Sequence, residues 1–134
     1  MKRISTLCMS LGLACVLAAA SIAAGPKRAS YTRNVTSQDL ARAGSAAPHG
    51  TWTLKVKADG LSLAARGQGL VSERAAWSMS TVAIADTPGA ISIFCGSNVK
   101  GTYRWTLRKS TLTFKLVKDA CNDRAGVLSG RWKR

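Results

Sequence analysis

From residue 50 onward, apolar and polar residues alternate in short segments that are separated by turn residues. In the first segment Trp52, Leu54 and Val56 share one face, and the residues between them are threonine and lysine. The alternation returns in three later segments, at 61–63, 103–107 and 112–116. Because successive side chains of a strand point to opposite sides of the sheet, each segment is predicted to be a β-strand with one buried face.

Three further runs, with less regular alternation, complete the pattern at 77–85, 91–95 and 127–133. Residues 119–126 read as a polar connection before the last run. Runs of this length at short spacing, with no long helix between them, indicate antiparallel strands. We therefore predict an all-β fold, a small antiparallel up-and-down β-barrel of seven or eight strands, because closure removes the unpaired edges of a sheet.

Residues 25–49 lack this alternation and are predicted to form an N-terminal extension. Within it Thr36 and Asp39 have the spacing of a capping box, and Gly44 can end the short helix that they begin. A helix of about two turns needs support from a neighbour. We expect its one large apolar residue, Leu40, to pack on barrel aromatics, so that the extension partly covers one open end. Deleting residues 25–48 should then leave the barrel folded.

The first residues have the layout of an export signal. Lys2 and Arg3 precede residues 4–24, which carry no charge and end in small residues, with cleavage expected after Ala23 or Ala24. An uncleaved membrane anchor is the alternative, because 21 uncharged residues can span a bilayer. The predicted divisions are a signal peptide over 1–24, the extension over 25–49 and a barrel domain over 50–134. The protein is expected to be secreted, periplasmic or held at the cell surface.

Removing the signal peptide also removes Cys8 and Cys15, which leaves Cys95 and Cys121. An oxidising compartment favours a disulfide between these two residues. A metal site is the alternative, but two thiolates are too few ligands for one. We predict the disulfide, with no metal and no cofactor.

The charge balance argues for binding and against catalysis. The formal net charge is +14, or +12 without residues 1–24, and the chain has six carboxylates and one histidine, His49. No Gly-x-Ser-x-Gly motif supplies a nucleophile, so the protein is not expected to be an enzyme. Seven cations are predicted to face outward from the strands: Lys55, Lys57, Arg104, Arg108, Lys115, Arg131 and Lys133.

The outward cations have two interpretations. They can serve as a solvated outer face, or they can attract an anionic polymer or an anionic membrane. Specific recognition of nucleic acid is not expected, because the outward positions lack the aromatic residues on which bases stack.

Four aromatic residues are predicted to point inward from the strands: Trp77, Tyr103, Trp105 and Phe114. They can fill the core, as side chains do in small eight-stranded barrels, or line an apolar pocket at the barrel mouth. The first functional prediction is a monomer that binds a small apolar or amphipathic ligand at these residues. The alternative is a cationic adhesion module for an anionic cell-surface polymer or membrane.

The segment Gly50-Thr51-Trp52 opens the first predicted strand with a Gly-x-Trp motif, and the chain ends with Trp132 near its last strand. This pattern resembles the lipocalins and the wider calycin group, and small secreted bacterial proteins of lipocalin-like type. The resemblance covers residues 50–134 and implies a container fold. It also implies that Trp52 closes one end of the barrel and that a basic residue, Arg124 or Arg131, packs across its ring. The chain is shorter than a typical lipocalin, which implies a shallower cup.

Overall fold

A computed structural model describes residues 25–90 and 94–134, and it shows a closed antiparallel barrel of eight strands in sequence order. The strands are β1 (Ser30–Val35), β2 (Gly50–Val56), β3 (Gly60–Ala65), β4 (Val71–Trp77), β5 (Thr81–Asp86), β6 (Gly101–Arg108), β7 (Thr111–Asp119) and β8 (Gly130–Lys133). Helix α1 (Ser37–Ala43) follows β1, and helix α2 (Asn122–Leu128) precedes β8. Pairing of Thr32 with Lys133 joins β1 to β8 and closes the barrel. The predicted all-β up-and-down barrel is confirmed.

The predicted alternation decides which side chains enter the core. Trp52, Leu54 and Val56 are buried, as are Leu112 and Phe114 of β7. The core also takes in Tyr31, Tyr103 and Trp132, all fully buried. Burial of apolar surface at roughly 25 cal/mol per Å² is the main stabilising contribution of such a core.

The barrel begins at Ser30, so the predicted extension over 25–49 contains a barrel strand. β1 was missed because one of its three inward positions holds a cation. Tyr31 and Val35 are buried, but Arg33 lies between them on the same face. Its guanidinium is held by the carbonyl of Val127 at 2.7 Å and by Asp39 at 3.1 Å. Deleting residues 25–48 would therefore remove a strand of the barrel, which gives a physical reason to expect that the barrel does not survive the deletion.

Helix α1 forms where the capping signals predicted it. The hydroxyl of Thr36 accepts from the backbone N–H of Asp39, whose carboxylate accepts in return from the N–H of Thr36, both at 3.1 Å. Gly44 ends the helix at φ 64°, a backbone conformation that favours glycine. Leu40 is buried, and it meets α2, because a Cβ on Gly126 would lie 3.2 Å from the Cδ2 atom of Leu40.

Two predicted strands are wrong in their bounds. The run 77–85 contains a turn at Ser78–Ser80, so Trp77 ends β4 and Thr81 begins β5. In the run 127–133, Val127 and Leu128 belong to α2, and only the last four residues form β8. Of the run 91–95, residues 91–93 lie outside the described residues, and the remaining two lie in a bend.

The strand directions place different segments at the two barrel ends. One end, here called the helical end, carries α1, α2 and the connection from β5 to β6. The opposite end, here called the turn end, carries residues 25–29 and the turns at 57–59, 78–80 and 109–110. Within 25–90 and 94–134, neither helix has the length and apolar character needed to cross a bilayer.

Candidate functional site

The predicted disulfide is confirmed. Cys95 and Cys121 are bonded, with their Cα atoms 5.7 Å apart. The bond ties the connection between β5 and β6 to the N-cap residue that precedes α2. It therefore fixes two irregular segments of the helical end against each other.

A buried guanidinium lies beside the disulfide. Arg124 donates from Nε and Nη2 to the two carboxylate oxygens of Asp119, at 2.8 and 2.9 Å. Its Nη2 also donates to the carbonyl of Val99 at 2.8 Å, and its Nη1 lies 3.5 Å from a carboxyl oxygen of Glu73. The side chains of Arg124, Glu73, Asp86 and Asp119 are fully buried. We refer to these four residues with Tyr103, whose hydroxyl donates to Asp119, as the Arg124 network.

Asp86 anchors the disulfide loop to this network. Its carboxylate accepts from the backbone N–H groups of Phe94 at 3.2 Å, Cys95 at 2.7 Å and Gly96. Burial opposes its ionisation, but hydrogen bonds from Glu73 and from these amides outweigh that effect and lower the pKa of Asp86. The aspartate is therefore charged and forms one fixed point for the loop.

Glu73 stays neutral in the same network. Burial is the main cause that raises its pKa to about 9, and the hydrogen bond with Asp86 adds to the effect. Arg124 is also opposed by burial, but its hydrogen bonds to Asp119 outweigh the penalty and raise its pKa. The network thus places one guanidinium among three carboxyl groups, of which Glu73 is neutral and Asp86 is charged.

The lipocalin resemblance implied that Trp52 closes one barrel end and that Arg124 or Arg131 packs across its ring. Trp52 is buried near the helical end, where its indole N–H donates to the carbonyl of Pro48 at 3.0 Å and its ring lies 6.1 Å from that of Phe94. Arg131 is exposed on the outer face of β8, so it cannot cover a ring inside the barrel. The contacts of Arg124 are with the carboxyl groups and the carbonyl described above.

The four predicted ligand-binding aromatics do come together, and we refer to them as the aromatic cluster. The ring of Trp77 lies 5.7 Å from that of Trp105, edge to face, and 6.3 Å from that of Phe114. Phe114 lies 6.4 Å from Tyr103, also edge to face. Phe114 and Tyr103 are fully buried, whereas the two tryptophans are half-buried. The four rings therefore form a continuous row from the core to the turn end.

A groove of about 480 Å³ lies on the outside of β6, β7 and β8. Its eight lining side chains are Arg104, Thr106, Arg108, Thr111, Thr113, Lys115, Arg131 and Lys133. We call this surface the cation–threonine face. Five of its side chains carry a positive charge and none carries a negative charge.

Strand register explains how the face is built. Arg104 lies opposite Lys115 on β7, which makes a row of two cations. The next row along the strands is Thr106, Thr113 and Arg131, and the third is Arg108, Thr111 and Lys133. Neighbouring strands lie about 4.8 Å apart and alternate residues about 6.8 Å apart. Three hydroxyls therefore form a floor, and the five cations surround it.

A second groove of about 480 Å³ continues the face across β8 onto β1 and β2. It shares Arg131 and Lys133 with the first groove and adds Thr32, Asn34 and Thr51. Arg33 also lines it, but its charge is paired with Asp39 at 3.1 Å. The surface thus remains free of unpaired negative charge over five strands.

Sequence reasoning identified the five cations of the face but not its threonines, because threonine is common on exposed strand positions. The part of the Arg124 network that involves Glu73 and Asp86 was also missed, since these residues are far from Arg124 in the sequence. His49 is exposed in the connection from α1 to β2. Among the described residues, His, Cys, Asp and Glu side chains form no group of three or more that could hold a metal ion.

Comparison of the chain with models of protein families, with curated proteins and with solved structures finds no match. The closed eight-stranded antiparallel barrel is compatible with the calycin-like fold that the Gly-x-Trp segment implies.

Proposed function

We propose that the protein binds an anionic polymer on the cation–threonine face. The observation that supports this proposal is a single groove in which five cations surround three threonine hydroxyls with no carboxylate present. The polymer would carry repeated phosphate, sulfate or carboxylate groups, and several of its charges would be bound at once.

The arrangement of like charges favours a binding role over a solvated surface. Arg104 and Lys115 stand directly opposite each other on paired strands, where like charges destabilise a sheet. At about 5 Å in water, two unit charges repel by roughly 1 kcal/mol. No carboxylate lines the face to relieve this repulsion. A polyanion lying along the face would replace the repulsion by attraction.

The side-chain types also fit an oxyanion ligand. Arginine offers a planar fork of donors that matches phosphate, sulfate and carboxylate, and lysine adds a mobile point charge. The hydroxyls of Thr106, Thr111 and Thr113 add neutral donors at the centre of the face.

The test compares dextran sulfate with uncharged dextran as probes, using fluorescence anisotropy over a series of salt concentrations. A triple variant of the face, R104Q/K115Q/R131Q, is matched with K55Q/R66Q/K100Q, which removes the same charge from exposed positions outside the groove. We expect dextran sulfate alone to bind, with affinity falling as salt rises. The face variant should lose about one unit of the log–log salt slope for each contacting cation, and the matched variant should bind nearly as the parent does.

Equal loss in the two triple variants would contradict the proposal, since binding would then follow net charge and not this face. A third variant, T106V/T113V, keeps every charge and tests the floor. It should weaken binding several-fold at unchanged salt slope, because it removes hydroxyl donors to charged groups.

A second candidate function is binding of a small apolar or amphipathic ligand at the aromatic cluster, as first predicted. It is favoured by the grouping of all four predicted side chains and by the indole N–H of Trp77, which is buried without an acceptor in the described residues. An apolar fluorescent dye should then bind with little dependence on salt, and Trp77→Ala should change its affinity. Absence of dye binding in the parent protein would exclude this candidate.

A further inference from the structure

The turn end combines exposed apolar surface with unbalanced positive charge. Met79, in the turn between β4 and β5, is 86% exposed. The two half-buried tryptophans of the aromatic cluster border this turn: Trp77 ends the strand before it, and the indole N–H of Trp105 donates to the carbonyl of Ser78 at 3.0 Å. Tryptophan rings are enriched at the headgroup level of bilayers, and the exposed Met79 side chain adds apolar surface beside them.

Cations surround this apolar centre on the other segments of the turn end. Five exposed basic residues lie there: Lys27, Arg28, Lys57, Lys109 and Arg134. Among the described residues of the turn end, Asp59 is the single acidic residue. The other five carboxylates of the chain lie in α1, in α2 or in the Arg124 network, toward the helical end. The barrel is therefore polarised along its axis, with unbalanced positive charge at the turn end.

The N-terminal segment also leads to the turn end. The carbonyl of Ala29 accepts from the N–H of Val56, and the chain then runs to Gly25, which lies on the ring of Trp77. A Cβ on Gly25 would be 2.6 Å from Cγ of Trp77, so the backbone passes directly over the indole. The uncharged residues 4–24 join the barrel at this point. A retained anchor would tether this end to a membrane, and cleavage after Ala24 would add the positive α-amino group of Gly25 there.

We propose that the turn end docks on an anionic lipid surface, with Met79 and the indoles of Trp77 and Trp105 at the headgroup level and the surrounding cations on lipid phosphates. This interface is distinct from the cation–threonine face, which lies on the side of the barrel. Docking by the turn end leaves that side face open, so the protein can hold an anionic polymer beside the membrane.

The experiment measures co-sedimentation of residues 25–134, which contain every strand, both helices and the disulfide, with lipid vesicles. Phosphatidylcholine vesicles are compared with vesicles that also contain phosphatidylglycerol. We expect binding to the anionic vesicles only. Brominated lipids should quench tryptophan emission on binding, because Trp77 and Trp105 are half-buried at the turn end.

Matched variants locate the interface. Met79→Asp is compared with Leu70→Asp, since Leu70 is also exposed, at 56%, but lies before β4 at the helical end. K27Q/R28Q is compared with R66Q/K118Q, two exposed cations of the helical end. The turn-end charge variant should partition about fivefold more weakly for each charge removed. Met79→Asp should also weaken partitioning several-fold, and both helical-end variants should match the parent.

The triple variant R104Q/K115Q/R131Q separates this proposal from polymer binding. It should lose binding to dextran sulfate and keep binding to anionic vesicles. Docking by the turn end is overturned if vesicle binding falls in R104Q/K115Q/R131Q and not in K27Q/R28Q. It is also overturned if Met79→Asp and Leu70→Asp have the same effect on vesicle binding. Equal binding to the two kinds of vesicle would overturn it as well.

Discussion

At the scale of single residues, Arg124 connects three segments near the helical end. It is fully buried, and it contacts β4, β7 and the connection before β6 through Glu73, Asp119 and Val99. A buried charge of this kind costs several kcal/mol of desolvation unless it is paired and hydrogen-bonded. Bidentate pairing with Asp119 meets that condition, so the guanidinium joins segments that have no strand pairing with one another.

The neutral state of Glu73 predicts how stability changes with pH. Its pKa is about 9 in the folded protein and 4.5 for an ordinary glutamate, so between these values only the folded state holds the proton. Its contribution is complete below pH 4.5 and is lost as the pH rises toward 9. The free energy of unfolding should therefore fall over that range, with a slope that approaches roughly 1.4 kcal/mol per pH unit.

Glu73→Gln, which cannot ionise, should flatten this slope in urea denaturation curves recorded across the range. The lowered pKa of Asp86 acts in the opposite sense and only at acid pH, where stability falls as that carboxylate is protonated. An unchanged slope in the glutamine variant would show that another group controls the alkaline loss of stability.

At the scale of elements, two short segments depend on partners distant in sequence. α2 has seven residues, and the side chain of its N-cap residue Cys121 is used by the disulfide and caps no N–H group. β1 pairs with both β2 and β8 and carries Arg33 among its inward positions. Both elements are too short to be stable alone, so the disulfide and the neighbouring strands determine them.

The disulfide should therefore have a measurable effect. In residues 25–134, Cys95→Ser should lower the free energy of unfolding by roughly 2–4 kcal/mol, because the unfolded chain gains freedom when the bond is lost. Denaturation of the parent under reducing conditions should show a similar loss. Titration of the oxidised, folded parent should find no free thiol, and two reactive thiols would contradict the bond.

β1 should be indispensable to the barrel. Residues 36–134 lack β1 and expose the edges of β2 and β8, and such edges pair with other chains. We expect this fragment to aggregate or to elute with an expanded radius in size-exclusion chromatography. A fragment that starts at Ser30 keeps all eight strands and should elute as a compact monomer. Compact, monomeric residues 36–134 would show that seven strands suffice.

At the scale of the whole molecule, charge is distributed unevenly while the fold is regular. Residues 25–134 carry a formal net charge of +12, and the acidic groups are concentrated near the helical end. The like charges on the cation–threonine face, and those at the turn end, consequently repel one another in the absence of a ligand.

This repulsion predicts that salt stabilises the protein. The melting temperature should rise with sodium chloride, by roughly 4–8 °C for each kcal/mol of repulsion that is screened. R104Q/K115Q removes the directly opposed cations and should show a smaller rise from a higher starting value. A melting temperature that falls with salt would indicate that ion pairs, and not repulsion, dominate the surface.

The sequence alone determined the features that follow from local rules. Period-two alternation placed Trp52, Leu54 and Phe114 inside and Arg104 and Lys115 outside, because each depends only on the direction of successive side chains in a strand. Capping residues defined α1, and the two cysteines of residues 25–134 could form only one intramolecular disulfide.

Tertiary structure decided what depends on partners far apart in the chain. β1 and α2 have weak local signals in the sequence. β1 forms because it pairs with neighbouring strands in the closed barrel, and α2 forms because the Arg124 network holds it. The cation–threonine face exists because register brings three strands side by side, so that Thr106, Thr113 and Arg131 share a row. Hydrophobic periodicity fixes which way a side chain points, whereas register and closure fix its neighbours, and a site consists of neighbours.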